Sequence, residues 1–359
     1  MNKRVLLTVA GDIPDDVAGK AARGERPTPD YLALAHHFDA DLLDYGGARR
    51  IVGRLAPALE RLGGADLVLA YACFAQRARY DVIFTDGEQV GLPFAALLKA
   101  RGGTRPKHLM ITHIISVPKK MFFLDRLGVQ SQIDTFLVYA SVQRDFLMQR
   151  WGLPASQVVF TPFMVDTQFF SAAHVTTAAR ARPLICAVGL ERRDYPTLIE
   201  AVRDLDADVV IAAASPWAKQ ADTTEGQQIP ANVTIQKFTQ YDLRQLYADS
   251  SFLVMPLFDV EFQAGVTAIL EAMAMERTVI CSRTRGQTDV IIDGQNGLYV
   301  PPGNVAALRA AINRLLADPQ LAADLGRAGR QLMDDEMSLD RYIVRLGSYV
   351  GRALQEKEH

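Results

Sequence analysis

The chain has 359 residues, 49% of them hydrophobic and 22% charged, and its 39 Lys and Arg nearly balance its 41 Asp and Glu. That balance gives no electrostatic case for nucleic acid as a partner. The length exceeds what one hydrophobic core usually fills, so two domains are expected.

The N-terminal stretch MNKRVLLTVAGDIPDD starts basic, but its apolar run ends after about six residues with no small-residue cleavage site, so it reads as a first strand. Short apolar runs then alternate with helical patterns through ADLVLAYACFAQRARY, DVIFTDGE, LPFAALLKARGG, HLMITHI and TFLVYAS. Alternation of this kind implies βαβ units and a parallel sheet. ASVQRDFLMQRWGLP reads as a helix closed by Gly152, and QVVFTPFMVD as a strand leading out of the domain. Residues 171–182, SAAHVTTAARAR, are small and polar without strong periodicity, which suits a linker.

A second alternating series follows: PLICAVG, YPTLIEAVRDL, ADVVIAAAS, NVTIQKF, YDLRQLYADS, SFLVMPLF, VTAILEAMA, TVICS, GLYVPP and VAALRAAINRLLADP. The fold class expected is therefore α/β, with two doubly wound Rossmann-like domains in tandem over 1–170 and 183–337, and a last helical stretch over 338–359. The only cysteines, Cys73, Cys186 and Cys281, show no CxxC or Cys/His spacing, so neither a disulfide framework nor a metal site is expected. A reducing cytoplasm fits that usage, and no run approaches the roughly 18 apolar residues of a membrane span.

One stretch carries chemistry. SFLVMPLF has the continuous apolar character of a strand buried on both faces. Chain leaving its carboxyl end enters the crevice where open α/β sheets bind ligands. The loop DVEFQAG follows, and a helix is expected from about Val266, with Gly265 allowing close backbone approach. The unpaired N–H groups of Val266 and Thr267 would then form a diphosphate seat. Val266, Ile269, Leu270 and Met273 recur at helical spacing as a packed face, whereas Thr267 and Glu271 share another stripe. Glu271 is either the solvated edge of this helix or a buried carboxylate that needs hydrogen-bond donors, which a sugar's vicinal hydroxyls would supply.

FQAGVTAILEAMAME resembles the retaining glycosyltransferases of family 4 (glycosyl transferases group 1), enzymes of the GT-B architecture, in which two Rossmann-like domains face a central cleft. That family carries Glu, seven residues, Glu in a motif ending LEAMA. The resemblance gives Glu271 the nucleotide ribose; the first acid of the motif, which contacts the transferred sugar, is Gln263 here. Gln263 can hydrogen-bond a hydroxyl but brings no negative charge, and Glu261 is the weaker substitute. AVGLERRDYPTLIEAV resembles the strand, loop and helix that hold the donor phosphates. The family's Arg after the glycine is Leu190, Arg193 takes the Lys position and Arg192 stands beside it. A guanidinium binds phosphate oxygens in bidentate fashion, although an isolated ERRD would pass for a solvated turn.

The remaining assignments also rest on the resemblance. Lys237 and Phe238 fall where the family lines the nucleobase pocket, and they serve equally as loop and core residues. Asp289 falls where an acid is usual and is expected to fix its loop. Glu276 replaces a customary helix-ending glycine. His113, just past HLMITHI, matches an active-site histidine, and Gly11 and Asp12 end the first strand on the acceptor side. Glu88 either faces the crevice or is the acid of a helix N-terminus. VPKKMFFLDRLGVQ, with Lys119 and Lys120, covers an acceptor site, touches a membrane surface or packs its own core.

The function implied is transfer of a sugar, with retention, from a nucleotide-diphosphate sugar to a hydroxyl-bearing acceptor of unknown class. UDP is slightly preferred over GDP, no cofactor or metal is required, and the protein is cytoplasmic, with peripheral contact to the inner membrane face left open. A sugar-nucleotide epimerase and a low-activity nucleotide-sugar-binding partner subunit are the alternatives. The last helix would return towards the first domain, and closure about the linker would exclude water. A nicotinamide dehydrogenase is disfavoured because VAGDIPDD lacks the G-x-G-x-x-G turn.

Overall fold

The computed structural model describes residues 4–177, 179–212 and 228–358. The chain forms two compact units, the first made of 1–22, 28–161 and 342–359, the second of 23–27 and 162–341. The chain crosses between them at 22/23, 27/28, 161/162 and 341/342, so the segment expected as linker, 171–182, lies inside the second unit. The reason is apolar: Val165, Phe169 and Phe170 are buried in the second unit's core, which binds the chain to that unit before the small polar stretch begins. The expected first domain therefore ends about nine residues early.

The first unit runs β1 (Val5–Thr8), α1 (Val17–Ala22), α2 (Asp30–Phe38), β2 (Asp41–Leu43), α3 (Tyr45–Val52), α4 (Ala56–Gln76), β3 (Val82–Thr85), α5 (Glu88–Arg101), β4 (Lys107–Thr112), α6 (Pro118–Asp125), β5 (Thr135–Val138), α7 (Ser141–Trp151) and β6 (Val158–Phe160). Its strands are parallel in the order β2-β1-β3-β4-β5-β6. Strand order reverses between β1 and β3, whose carboxyl ends are therefore the expected ligand edge. Gly152 closes α7 in the left-handed conformation, at φ 64°, as the sequence implies. The elements between residues 17 and 52 had no counterpart in the sequence reading.

The second unit runs β7 (Leu184–Val188), α8 (Tyr195–Val202), β8 (Asp208–Ala212), β9 (Val233–Gln236), α9 (Gln240–Asp249), β10 (Phe252–Met255), α10 (Val266–Ala274), β11 (Thr278–Ser282), β12 (Leu298–Val300), α11 (Val305–Ala317) and α12 (Pro319–Leu332). The end of the expected strand ADVVIAAAS, from residue 213, lies outside the described residues. The last helix, α13 (Leu339–Glu358), belongs to the first unit from Tyr342 onward. Within that unit the Tyr342 hydroxyl meets the Tyr139 hydroxyl at 2.6 Å, and Arg345 donates to Thr161 Oγ1 at 2.9 Å.

The second sheet is parallel in the order β12-β11-β10-β7-β8-β9, and its strand order reverses between β7 and β10. Its strands are apolar on both faces because successive side chains alternate sides. Leu184, Cys186, Val188, Leu253 and Met255 pack with α9 and α10. Ile185, Ala187, Phe252 and Val254 pack with α8 and α11 on the other side. All three cysteines are free and buried.

Candidate functional site

The reversal between β7 and β10 puts two loops side by side at the carboxyl end of the second sheet. They are stitched by backbone: Asp194 N–H donates to the Pro256 carbonyl at 3.0 Å, Phe258 N–H to the Arg192 carbonyl at 3.1 Å, and Arg193 bridges Leu257. Asp194 caps α8 by accepting from Thr197 N–H, and the Tyr195 hydroxyl donates to the Gly189 carbonyl. The loop after β7 is thus fixed at both ends.

Arg193 lies inside this frame, only 4% exposed. Its Nε donates to the Val188 carbonyl at 2.9 Å and its Nη1 to the Glu191 carbonyl at 2.5 Å. Burial pushes the guanidinium below its ordinary range, but an arginine stays a cation in a protein. Two glycines make room for it. A Cβ on Gly265 would stand 3.0 Å from Arg193 Nη2, and one on Gly189 would stand 2.5 Å from the same atom. Gly265, at φ 77°, is the residue from which α10 starts. The buried cation therefore rests against the positive end of a helix whose first turn contains no acid.

A third loop holds the approach to α10. Gln287 Nε2 donates to the Ala264 carbonyl at 2.6 Å, and Gly286 lies so close to the Phe262 carbonyl that any Cβ there would collide with it. Gln263, between them, is half-buried, and its Oε1 is a buried acceptor with no hydrogen-bond partner among the described residues. An unmade hydrogen bond at a buried acceptor costs about 1–3 kcal/mol, so this oxygen is poised for a donor. Glu261 points elsewhere, into an exposed ion pair with Arg285 at 2.9 Å.

Glu271 is 7% exposed. The Tyr247 hydroxyl, from α9, donates to its Oε2 at 2.9 Å, and Oε1 has no hydrogen bond among the described residues. Burial pushes the carboxyl up to about 7, with the Tyr247 hydrogen bond pulling the other way. Thr267, four residues earlier, is exposed, so the stripe expected to be shared by these two residues is buried at one end and open at the other.

The equivalent edge of the first unit is chemically different. Asp86, just past β3, accepts from the Ala10 N–H at 2.9 Å and from Thr8 Oγ1 at 3.0 Å, and burial pushes its carboxyl up to about 6. Glu88, the first residue of α5, is 1% exposed and accepts from the N–H groups of His113 and Ile114, at 3.0 and 3.1 Å, and from Lys120 Nζ at 2.5 Å. Burial alone would raise Glu88; the charges of Lys120 and His113 and these hydrogen bonds bring it below the ordinary carboxylate range. His113 itself is exposed, its Nε2 3.2 Å from the Asp86 carbonyl oxygen and its ring 5.3 Å from that of Tyr139. Asp12 is exposed and pairs with Arg49 at 3.4 Å, while the Gly11 carbonyl accepts from Tyr45 N–H.

Residues 182–318 match the family model described as Glycosyl transferases group 1. Over 197 residues, 50% of this chain and 50% of the relative, the sequence is 27% identical to alpha-D-kanosaminyltransferase of Streptomyces kanamyceticus. The chain spans about half the length, or less, of the first curated relatives it matches. Among solved structures, sucrose-phosphate synthase from Thermosynechococcus elongatus matches with a TM-score of 0.72 at 18% identity, covering 98% of this chain and 99% of that one. Anabaena HepE, in complex with UDP and glucose, matches with a TM-score of 0.68 at 15% identity, covering 97% and 99%. The fold is GT-B.

In the second GT-B unit the structure brings together Arg193, Gly265 and the start of α10, with Gln263 on the loop immediately before. Arg192 is exposed, in the left-handed region at φ 57°, and serves the loop through its carbonyl. Lys237 is exposed just past β9, and Phe238 packs partly against the second unit's core. Leu190 packs against the apolar cluster on the α8 side. Asp289 is half-buried in the loop after β11. Sequence reasoning missed Tyr247 and Asp86; Tyr247 sits 24 residues before Glu271, and only the packing of α9 beside α10 joins them. Among the described residues no three His, Cys, Asp or Glu side chains converge as metal ligands, and no helix is long and apolar enough to cross a membrane.

Proposed function

We propose that the protein is a glycosyltransferase that moves a sugar from a nucleotide-diphosphate sugar to a hydroxyl acceptor, with retention of configuration. The observation that carries this reading is the buried Arg193 guanidinium set against Gly265 at the N-terminus of α10, at the strand reversal of the second sheet. Two positive elements converge there on one small volume, as a diphosphate requires. The match of this segment to Glycosyl transferases group 1 supports it, and HepE, solved with UDP and glucose, favours a uridine donor.

In this mechanism Arg193 and the helix N-terminus stabilise the departing nucleoside diphosphate, so no divalent ion is needed for that charge. The bond from the sugar's anomeric carbon to the phosphate oxygen breaks, and the acceptor oxygen bonds to that carbon on the same face. The acceptor proton goes to a phosphate oxygen of the leaving group. Glu271 takes the ribose hydroxyls through Oε1 while Tyr247 holds Oε2. Gln263 receives a sugar hydroxyl on its unpartnered Oε1, Lys237 and Phe238 border the base, and Arg192 borders the phosphates.

From the first unit we assign His113 to the transferred sugar and the Gly11–Asp12 turn to the acceptor. Glu88 is a positioning residue, because its carboxylate is already taken up by the turn that begins at His113. Calorimetric titration with UDP, GDP and ADP, followed by release of nucleoside diphosphate from the matching sugars, tests the assignment. Absence of binding to all three nucleotides would overturn it. Replacing Gln263→Glu puts a charge on the sugar contact and should change turnover or donor choice by about tenfold; unaltered kinetics would remove Gln263 from the site.

A further inference from the structure

A cavity of about 510 Å³ lies wholly within the first unit, among α4, α5 and α6; Glu88 and Lys120 are part of its lining, and none of the assignments above places a ligand in it. Its volume is in the range of small-molecule sites. The wall is apolar: Leu67 from α4, Leu92, Ala96 and Leu97 from α5, and Phe123 from α6. Leu62 lines it at 80% exposure, and Phe122, next to the lining Phe123, is 52% exposed.

The opening is built into the backbone. The helical geometry of α4 breaks at Gly63 and Gly64, the latter at φ 76°, and Leu62 and Gly63 both line the cavity. A Cβ on Gly63 would stand 2.8 Å from the Leu67 side chain, so the break tolerates no larger residue without displacing the wall.

The charges along the lining are distributed unequally. Lys120 is bound to Glu88 at 2.5 Å, and Asp66 accepts the Tyr45 hydroxyl at 2.6 Å. Lys119 is exposed and has no partner among the described residues. A mostly apolar wall that is open on one side, with the exposed Lys119 at its edge, matches a chain whose anionic end stays at the mouth.

We propose that this cavity binds an amphiphile with a single alkyl or prenyl chain and an anionic phosphate head, the chain lying against α5 and Phe123 and the head on Lys119. As a consequence that rests on the transferase reading, the hydroxyl acceptor is lipid-linked, and its chain is held by the first unit alone.

Titration of the full chain with decyl phosphate, below micelle-forming concentrations, tests the site, with decyl maltoside and inorganic phosphate as partners lacking the anion or the chain. Decyl phosphate should bind saturably, about tenfold tighter than decyl maltoside, and inorganic phosphate should show no saturation. Ala96→Phe fills the wall and should abolish binding; Lys119→Glu, at an exposed position, should weaken it about tenfold or more. UDP affinity, measured on the same samples, should be unchanged in both variants. Failure of decyl phosphate to bind, equal affinity for decyl maltoside, or binding only to anionic phospholipid vesicles would each overturn the proposal. Retained decyl phosphate binding by a protein that binds no nucleotide would uphold the cavity and remove the transferase reading instead.

Discussion

The two units share an architecture of six parallel strands with one strand reversal, yet the edges beside the reversals carry opposite charge. In the second unit a buried cation, Arg193, lies against a helix whose first turn has no acid. In the first unit the corresponding helix, α5, begins with its own acid, and Asp86 stands half-buried two residues before it. A helix N-terminus attracts an anion, and in α5 the chain supplies that anion itself. The fold therefore offers two seats, of which one is left for a ligand and the other is spent on holding the His113 turn. Strand order locates a site, but charge decides what it takes.

The largest expected effect tests the second half of that contrast. Glu88→Gln removes the carboxylate from Lys120, which keeps only the Ile114 carbonyl, and weakens two backbone contacts of the His113 turn, so it should destabilise the first unit by about 4 kcal/mol. Denaturant unfolding measures the loss, and UDP affinity of the remaining folded protein should be within about twofold of the parent. A stable variant that bound UDP poorly would reverse the roles assigned to the two edges.

Arg193→Met keeps an unbranched stem and removes the guanidinium with its charge. Nucleotide-diphosphate affinity should fall by about 3 kcal/mol, roughly two orders of magnitude, while nucleoside affinity changes little. Equal losses for UDP and uridine in calorimetry would mean that Arg193 shapes the loop without touching phosphate.

Glu271 gives the next contrast, because the unliganded protein and the complex want different protonation states. Its carboxyl is raised from 4.5 to about 7, so the folded protein holds a proton there that the unfolded chain has released. That stability is complete below about 4.5 and is lost as pH rises through about 7, an effect on the order of 3 kcal/mol. Ribose hydroxyls donate to the ionised form, so UDP should bind tighter as pH climbs over the same window. Glu271→Gln should flatten both profiles in parallel thermal-unfolding and calorimetric series. A parent protein whose stability and affinity do not vary with pH would sink the ribose assignment.

Much of the second unit was legible because its strands are continuous apolar runs. SFLVMPLF and PLICAVG had to be buried on both faces, and once they were placed in a parallel sheet, the loop before VTAILEAMA had to lie at its ligand edge. The start of α10 and the closure of α7 at Gly152 were readable from glycine and periodicity. Residues 17–52 were not, because short helices such as VAGKAA and YGGARRIV give too few turns for a period to show. The partner of Glu271 was beyond sequence reasoning for another reason: Tyr247 reads as one more apolar position of α9, and its hydroxyl matters only once two helices are side by side. The linker was misplaced because composition marks a polar stretch but does not say which core already holds the chain before it, as Val165 and Phe170 do.

The smallest expected effect returns to α10, at its other end. The helix closes in a Schellman arrangement, with Glu276 N–H donating to the Met273 carbonyl at 2.9 Å and Arg277 N–H to the Ala272 carbonyl at 2.8 Å. That geometry puts Glu276 in the left-handed region, at φ 58°, where a side chain costs about 1 kcal/mol and glycine costs little. Glu276 is exposed, so its side chain recovers little by packing, and Gly326 of α12 lies against its carbonyl, so the turn has no room to relax. Glu276→Gly should therefore raise stability, by less than 1 kcal/mol once the added freedom of the unfolded chain is subtracted, with UDP affinity unchanged. A loss of stability in chemical denaturation would mean that the carboxylate contributes to the helix end more than its strained backbone costs.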